Sequence, residues 1–405
     1  MKDENMAASA GHARRYLFVI KNVQFLYSHF WRIAEAIQAA GWEVWVVADC
    51  NVDPQRVLDA GMRIVPVPAP GGFWNVAGEL RALYLRYRAM RRIRPDIAHF
   101  VTLKVALPCG ILARLAGVPS VLIAVTGMGT AFTLDGPVYM AIRRAVLMGL
   151  KFVFGQRNAV LAVENSDDER YLIERGVVRA DRSVVIPGAG IDISEITPTK
   201  WIGSTPIVLC AARLIYPKGI ATLFDAARIL KKRGIQFEVW LAGDIDPEYP
   251  LSLSLAEVKQ AESDAPVRWL GRRSDMESLL QQCCICCLPT YREGLPRFLV
   301  EASAAGRPIV ATRVPGCSDV VEEGRSGLLV PPRDPLALAN SLERLILDSA
   351  ERERLGEGAR RVFEERFSSD HVLEAFDKCY KVLDQPLVLC SQGAAAVALE
   401  GVSEG

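Results

Sequence analysis

Two glutamates stand eight positions apart in the segment YREGLPRFLVEASAAGRPIVAT, residues 291–312. Glu293 precedes a Gly-Leu-Pro turn, and Glu301 lies within the helix-length stretch that follows. Because proline is tolerated at the first helical position, Pro296 predicts a helix over about 296–306. The free N–H groups and positive dipole end at a helix start bind anions such as phosphate. Glu293 would lie in the loop before this helix start, and Glu301 could accept hydrogen bonds from the hydroxyls of a ribose or sugar.

An anion at this helix start would need cations. The segment ARLIYPKGI offers Arg213 and Lys218 directly after a predicted strand. Arginine and lysine separated by one tight loop could hold a pyrophosphate without a metal ion. The alternative is that all four charged side chains are solvated and that Pro296 merely starts a helix. Residue spacing alone leaves both interpretations open.

Short apolar runs alternate with helix-length segments twice along the chain. The first half has YLFVI, WEVWVVAD, RIVPVP, IAHF, SVLIAV, AVLAVE and SVVIP, and the second has PIVLCAA, FEVWLAG, VRWLG, CCICCLP and PIVAT. Continuous apolar strands alternating with helices indicate a parallel sheet covered on both faces. The fold prediction is therefore α/β, with two doubly wound Rossmann-like domains facing across a cleft and ligands at the carboxyl ends of the strands.

The domain boundaries follow from composition. Helices in the second half are predicted over 219–233, 274–281, 296–306 and 335–347. The Gly-, Pro-, Ser- and Thr-rich segment 187–206 is the expected join. The predicted organisation is a flexible tail 1–14, an N-terminal domain 15–195, a C-terminal domain 196–390 and a second flexible tail 391–405. A final helix over about 368–384 is expected to pack back toward the N-terminal domain.

Overall charge and composition exclude several classes of protein. The chain has 405 residues, 50% of them hydrophobic, and a net charge of +1, which argues against a protein built mainly to hold nucleic acid. The charge is uneven, with +6 in residues 1–200 and −5 in the remainder. No secretory signal and no uninterrupted apolar run of about 20 residues is evident, so no spanning helix is expected. No G-x-G-x-x-G motif follows a predicted strand, which disfavours a hydride-transferring enzyme.

Two patterns invite a metal or disulfide interpretation. Four of the ten cysteines form CCICC at 283–287, but a zinc site needs further ligands, and the segment is also typical of a buried strand. Reduced thiols of this kind suit a cytoplasmic protein. Asp244 and Asp246 in GDIDPEY have the spacing of a metal-binding DxD motif, although two acids after a strand are common. No metal and no cofactor is predicted.

Several motifs in the second half of the chain resemble those of a known family. ARLIYPKGI, WLAGD, RWLGRRSDM, LPTYREGLPRFLVEASAAGRPIVAT, PGCSDVVEEGRSGLLVPPRD and RFSSDHV resemble, in order, the motifs of retaining glycosyltransferases of family four. The resemblance covers about residues 205–375 and implies the GT-B architecture. The Glu-x7-Glu motif of the family matches Glu293 and Glu301.

The resemblance implies roles residue by residue. Glu293 would contact the donor sugar near the reacting carbon, and Glu301 would hold the ribose hydroxyls. Arg213 and Lys218 would neutralise the leaving diphosphate, so no essential metal is implied. The remaining donor-side residues would be Gly294, Leu295 and Pro296, around which backbone N–H groups would bind sugar hydroxyls and phosphate, and Arg272 and Arg273, beside the nucleobase.

The first half is similar to the N-terminal domains of enzymes that extend undecaprenyl-pyrophosphate-linked sugars for O-antigen, capsule or glycoprotein glycans. The similar stretches are NVQFLYSHFWRIAEAIQAAGWEV and VTLKVALPCGILARLAGVPSVLIAVTGMGTAF. Many family members have histidine at the position of Thr126, which this chain lacks. Gly127 and Gly129 could still bring backbone N–H groups close to a ligand. His29 is a candidate acceptor-side residue, or alternatively a structural one.

A basic stretch suggests a membrane surface. ELRALYLRYRAMRRIRP, residues 79–95, interleaves arginines with apolar side chains at helical spacing, and RRAVLMGLKFVFGQR is a second stretch of this kind. Such helices lie on anionic membranes, or else pack on a sheet with a solvated basic face. The residues expected to contact a membrane are Arg86, Arg88, Arg91 and Arg92.

The sequence therefore predicts a retaining glycosyltransferase that moves a hexose or N-acetylhexosamine from a nucleotide sugar, expected to be UDP-linked, to a lipid-linked saccharide. Its expected place is the inner face of the cytoplasmic membrane, with peripheral attachment and no nucleic acid partner. Two alternatives stay open, a nucleotide-sugar epimerase of related fold and a catalytically silent sugar-nucleotide-binding partner. The donor sugar, the acceptor, the linkage and the oligomeric state are not identified by the sequence.

Overall fold

The chain folds into two compact units. The computed structural model describes residues 13–69, 75–129, 132, 136–156, 158–188, 196–247 and 249–389. Unit 1 contains the described residues up to 188 together with those from 372, and unit 2 contains those from 196 to 371. Most of each predicted tail and the middle of the predicted join lie outside the described residues.

Unit 1 is built on a parallel sheet. Its strands are β1 Arg15–Asn22, β2 Glu43–Asp49, β3 Arg63–Pro66, β4 Ile97–Val101, β5 Ser120–Val125, β6 Ala159–Val163 and β7 Ser183–Val185. Its helices are α1 Val23–His29, α2 Trp31–Ala39, α3 Gln55–Asp59, α4 Val76–Ile93, α5 Leu103–Ala116, α6 Pro137–Phe154 and α7 Ser166–Glu174. The strand order among the described residues is β3-β2-β1-β4-β5-β6-β7.

Unit 2 repeats the plan with a second parallel sheet. Its strands are β8 Ile207–Ala211, β9 Glu238–Ala242, β10 Val267–Gly271, β11 Ile285–Leu288, β12 Ile309–Thr312 and β13 Gly327–Val330. Its helices are α8 Ile220–Lys232, α9 Leu255–Asp264, α10 Met276–Gln282, α11 Arg297–Ala304, α12 Cys317–Val320, α13 Pro335–Leu347 and α14 Ser349–Arg366. The described strands lie in the order β10-β9-β8-β11-β12-β13.

Alternating side chains cover both faces of the sheets. In β1, Tyr16 and Phe18 enter one core, whereas Leu17 and Val19 enter the core on the opposite face. Since both faces are buried, the strands show continuous apolar runs in the sequence. The last helix, α15 Ser369–Val382, contributes Phe376 to the first of these cores within unit 1.

The fold prediction is confirmed as two doubly wound Rossmann-like units. Twelve strands were predicted near their observed positions, including the buried run that contains Cys286 and Cys287 in β11. Strand β13 was not predicted as a strand, because its four residues follow a turn closely. Pro296 is the N-cap of α11 rather than its first helical residue, so this helix begins one residue later than predicted.

The prediction that Arg86 contacts a membrane is wrong. Arg86 is 5% exposed, and Ala82, Met90 and Ile93 are buried on the same face of α4. The spacing of four, four and three residues places these side chains on one stripe, which packs on the sheet. The Arg86 guanidinium contacts the Cys109 thiol of α5 instead.

Candidate active site

The candidate site of unit 2 lies at the point where the strand order reverses. Strand β8 is the first of its sheet in the sequence, and its neighbours β9 and β11 run out to opposite sides. In doubly wound sheets, ligands bind at the carboxyl ends of the two strands that flank this reversal. Lys218 lies in the loop that follows β8, and Glu293 lies in the loop that follows β11. The two central predicted residues therefore come from the two strands at the switch point.

The structure brings Lys218 and Glu293 into direct contact. The Lys218 Nζ atom donates to Glu293 Oε1, and the two side chains are 21% and 12% exposed. The prediction placed both residues at one site but did not pair them. Each charge neutralises the other. A bound diphosphate would have to compete with Glu293 for the ammonium group.

Backbone contacts hold the two loops together. Tyr291 N donates to Pro217 O over 2.8 Å, and Thr290 Oγ1 donates to the same carbonyl over 3.1 Å. Gly219, which ends the Lys218 turn, has a φ of +68°, and a Cβ there would lie 1.8 Å from Pro289 O. Only glycine fits so close to another backbone, so this residue sets the distance between the two loops.

A third loop packs against the Glu293 turn. Gly316, between β12 and α12, has a φ of +80°. A Cβ at this position would lie 2.1 Å from Gly294 O and 3.1 Å from the Glu293 Cβ atom. Asp319 holds the loop by accepting a hydrogen bond from Gly316 N over 3.0 Å. Sequence reasoning missed Gly316, whose only local signal is a Pro-Gly pair.

Glu301 lies inside α11 with an internal partner. The side chain is buried, and Arg297 Nε donates to Glu301 Oε1 over 2.7 Å. Burial raises the pKa of the Glu301 carboxyl, and the nearby Arg297 guanidinium opposes that rise. Sequence reasoning also missed Arg297, although an Arg–Glu pair four residues apart is a recognisable helical signal.

The remaining donor-side residues lie on loops at the same edge of the sheet. Arg213 is exposed, with its guanidinium carbon 5.7 Å from the centre of the Tyr249 ring. Gly243 N donates to Gly271 O over 2.8 Å, which joins the loops after β9 and β10. Arg273 pairs with Asp275 on the surface next to exposed Arg272. Arg213 follows β8 in the same loop as Lys218, and its guanidinium takes no part in the Lys218–Glu293 contact.

The predicted acceptor-side residues of unit 1 fall on the loop after β5 and on the last residue of α1. Thr126, Gly127 and Gly129 follow β5 at its carboxyl end, and both glycines have positive φ values, +135° and +73°. His29 ends α1, stacks on the Phe25 ring at 4.0 Å between ring centres and hydrogen-bonds Ser28. These contacts give His29 structural partners at the end of α1, the helix that follows β1.

No metal-binding cluster is found in the part of the chain that the structure describes. No group of three or more His, Cys, Asp or Glu side chains is arranged to hold an ion there. The four cysteines of the CCICC segment are buried in the cores on the two faces of β11. Asp244 instead uses its backbone carbonyl to accept a hydrogen bond from Leu214 N.

Two doubly wound parallel sheets place this chain among the Rossmann-like α/β proteins. Comparison with known families narrows the class. The model for glycosyl transferases group 1 matches residues 205–348, and the model for the glycosyl transferase 4-like domain matches residues 28–189. Together they cover about three quarters of the chain. The chain belongs to the glycosyltransferases of the GT-B fold, and the predicted resemblance is confirmed.

Individual relatives agree with this assignment. One is the N,N'-diacetylbacillosaminyl-diphospho-undecaprenol alpha-1,3-N-acetylgalactosaminyltransferase of Campylobacter jejuni, 25% identical over 86% of this chain and 94% of the relative. The capsular polysaccharide biosynthesis glycosyltransferase CapM of Staphylococcus aureus is 27% identical, but the match spans 45% of this chain and 47% of that protein.

Solved structures share the fold. Sucrose-phosphate synthase from Thermosynechococcus elongatus has a TM-score of 0.74 at 21% identity, over 92% of this chain and 99% of that one. Anabaena HepE in complex with UDP and glucose has a TM-score of 0.70 at 17% identity, over 91% of this chain and all of that one. At these identities the likeness concerns the fold alone.

Proposed function

We propose that this protein is a retaining glycosyltransferase that moves a hexose or N-acetylhexosamine from a UDP-sugar to a lipid-linked saccharide in bacterial surface-glycan biosynthesis. The observation that carries the proposal is the Lys218–Glu293 contact at the switch point of unit 2. The diphospho-undecaprenol named for the Campylobacter relative supports the acceptor class. The UDP named for the Anabaena structure supports the donor class.

The proposed chemistry follows from the charges at this site. The bond from the anomeric carbon to the diphosphate oxygen breaks, and a bond from the same carbon to an acceptor hydroxyl oxygen forms on the same face. The acceptor proton leaves with the diphosphate. Lys218 stabilises the negative charge that develops on the leaving group, and Arg213 adds a second cation from the same loop. Glu293 faces the sugar near the reacting carbon, where positive charge develops.

The groups around this pair complete the proposed donor site. The start of α11 favours an anion because backbone N–H groups lie there. These groups belong to Gly294, Leu295 and Arg297, the first residue of the helix. The Glu301 carboxylate accepts the ribose hydroxyls, and the loop of Arg272 and Arg273 meets the nucleobase. We propose that no metal ion is needed, because the two cations and the helix start supply the positive charge.

The acceptor is proposed to meet unit 1, where Thr126, Gly127, Gly129 and His29 lie at or near the carboxyl ends of strands. Within the described chain no helix is both long and apolar enough to cross a bilayer. We propose that the protein reaches a lipid-linked acceptor by peripheral attachment at the cytoplasmic face of the membrane, as the lipid-linked substrate named for the Campylobacter relative suggests. No role in nucleic acid binding is proposed.

Donor release is the first test of this function. The purified protein would be incubated with a panel of UDP-sugars, with and without a bacterial membrane lipid extract, and UDP release would be measured. We expect release that depends on the lipid and on one donor. Conversion of the UDP-sugar to an isomer without any lipid would instead support the epimerase. Binding of UDP-sugars without turnover, from folded protein and with several extracts, would support the silent binding partner.

Acidic pH is expected to weaken UDP binding through Glu301. Its pKa is raised by burial, so protonation sets in at a higher pH than for an ordinary glutamate, and the ribose hydroxyls lose a charged acceptor. Removing the opposing guanidinium with Arg297→Met should raise this pKa further and move the acid limb of UDP affinity to higher pH. Calorimetric titration with UDP between about pH 4 and pH 8 would measure the limb.

Two variants control this measurement. Glu301→Gln should bind UDP more weakly and lose the limb. Arg179→Met removes an exposed arginine that pairs with Asp181 in unit 1, and it should leave the profile unchanged. Folding stability depends on pH in a different way. Because the pKa of the Glu301 carboxyl is higher in the folded chain than in the unfolded chain, its contribution to the free energy of unfolding is lost as pH rises from the unfolded-chain pKa through the folded-chain pKa. An Arg297→Met profile identical to that of the parent would contradict the assignment.

A further inference from the structure

Unit 1 exposes an unusual share of apolar surface on three neighbouring helices. Nine of the seventeen exposed large apolar side chains among the described residues lie on α4, α5 and α6. They are Val76, Leu80, Tyr84, Leu115, Val138, Met140, Ile142, Met148 and Phe152. Such a concentration on one side of a protein marks an interaction surface rather than scattered exposure.

Helix α6 carries the main apolar stripe. Val138, Ile142, Met148 and Phe152 are between 42% and 66% exposed. At 100° per residue these four side chains fall within about 120° of one another, which is the width of one helix face. The side of α6 that packs on unit 1 is a different one, marked by buried Leu150 and Val153. The helix therefore has an apolar outer face in addition to its core face.

Helix α5 extends this surface. Leu115 is 66% exposed near its end, and the Arg114 guanidinium lies 4.8 Å from the centre of the Phe152 ring on α6. The two helices approach closely at small residues, since a Cβ on Gly149 would lie 2.6 Å from the Leu107 side chain. Because α5 and α6 pack closely, Leu115, Met148 and Phe152 lie on two helices whose positions are fixed relative to each other.

The charge of the same helices is almost entirely positive. Outside the buried Arg86, helices α4, α5 and α6 contain nine lysines and arginines and one acid, Glu79, which pairs with Lys104. On α6, exposed Arg144 and Lys151 flank the apolar stripe. A surface of this kind matches a bilayer with anionic headgroups, because apolar side chains enter the interface while the cations stay at headgroup level.

An arginine-lined cavity adjoins this surface at the end of α4. It has a volume of about 470 Å³ and is lined by Ala13, Arg15, Arg91, Arg92, Arg94 and Asp96. A second cavity, lined by Arg91, Arg94 and Gly117 among others, links it to the end of α5. Within the described chain, Arg91, Arg92 and Arg94 form no ion pair with a carboxylate. The negative end of the α4 dipole favours cations at this position. Because the three arginines have no carboxylate partner among the described residues, their guanidinium groups can bind headgroup phosphates.

We propose that the α5–α6 surface, defined by Leu115, Ile142, Met148 and Phe152, docks this protein on an anionic phospholipid bilayer, with headgroup phosphates in the arginine-lined cavity. The inference deepens the proposed function by naming the surface that brings the enzyme to a lipid-linked acceptor. The docking proposal rests on the proposed function, because a lipid-linked acceptor is the reason for the enzyme to bind a membrane. Vesicle binding can be measured without donor or acceptor, so the two can fail separately.

Vesicle co-sedimentation tests this proposal. The full chain would be mixed with vesicles of phosphatidylcholine alone or with about 30% phosphatidylglycerol. We expect at least about tenfold tighter binding to the anionic vesicles, weakening with salt because exposed charges are screened. The double variants Met148→Ser with Phe152→Ser, and Arg91→Gln with Arg92→Gln, should each weaken binding about tenfold or more.

Matched variants and a second assay keep the outcome clear. Leu336→Ser with Leu347→Ser removes equally exposed apolar side chains from α13, and Lys231→Gln with Lys232→Gln removes cations from the last turn of α8. Both should bind vesicles like the parent. Equal parent binding to both vesicle types, or undiminished binding by both test variants, would overturn the proposal. So would a stable dimer that the Met148→Ser, Phe152→Ser variant abolishes, because a second copy would then cover the surface. The parent and both test variants should transfer sugar to a detergent-dispersed acceptor. Absence of this transfer from a parent protein that still binds anionic vesicles would count against the proposed function and not against the docking surface.

Discussion

Glu293→Gln is expected to reduce kcat for sugar transfer by about 10²–10³-fold without weakening UDP binding. Glutamine keeps the size of the side chain but removes the charge that faces the reacting carbon. Lys218 would lose its ion pair with the Glu293 carboxylate, so its ammonium group could bind the diphosphate without that competition. UDP affinity should therefore stay the same or rise, while turnover falls. Turnover assays and calorimetry on one preparation would measure both quantities.

Two comparisons make this result specific. Lys218→Met removes the cation instead, so it should weaken UDP binding as well as turnover. Glu353→Gln breaks another Lys–Glu contact of unit 2, the 3.1 Å pair with Lys200, and should leave both quantities unchanged. A Glu293→Gln protein with parental kcat would remove Glu293 from the chemistry.

Gly219→Ala is expected to separate the two loops that form the candidate site. The added Cβ would lie 1.8 Å from Pro289 O, so the Lys218 loop must move away from the Glu293 loop. Overpacking of this kind typically costs about 1–3 kcal/mol, and the positive φ of Gly219 adds about 1 kcal/mol. We expect a lower unfolding temperature and at least about tenfold weaker UDP binding.

Gly234→Ala is the matched control for this variant. Gly234 has a similar φ of +77° but open space where a Cβ would stand. It should show the conformational cost alone and should bind UDP normally. If the Gly219 and Gly234 variants behaved alike, the contact between the two loops would have no role in donor binding.

The sequence predicts the local elements of this protein better than the contacts between them. Apolar runs identify strands because both sheet faces are buried, as in β5 and β12. Glu293 and Lys218 are 75 residues apart in the chain. Their direct contact depends on the strand order that sets β8 beside β11, which no local pattern carries.

Close contacts between backbone segments also could not be predicted from the sequence. Gly316 packs on Gly294 and the Glu293 Cβ atom, and this distance appears only when three loops are assembled. Arg86 shows the converse, since a charged residue in a basic stretch looks exposed until the buried stripe of α4 is known. The apolar outer face of α6 was visible only as a mixed run, because its core-facing side is apolar as well.

The anomeric configuration of the product is the most direct test of the central claim. The lipid-linked product formed from one UDP-sugar would be purified, and its new linkage would be assigned by proton NMR from the anomeric coupling constant and the carbon–proton correlations. The account predicts a new glycosidic bond with the α configuration of an α-linked donor, formed about 10²–10³-fold more slowly when Glu293→Gln replaces the parent enzyme. A β linkage from the same donor, or release of UDP with no new glycosidic bond, would contradict it.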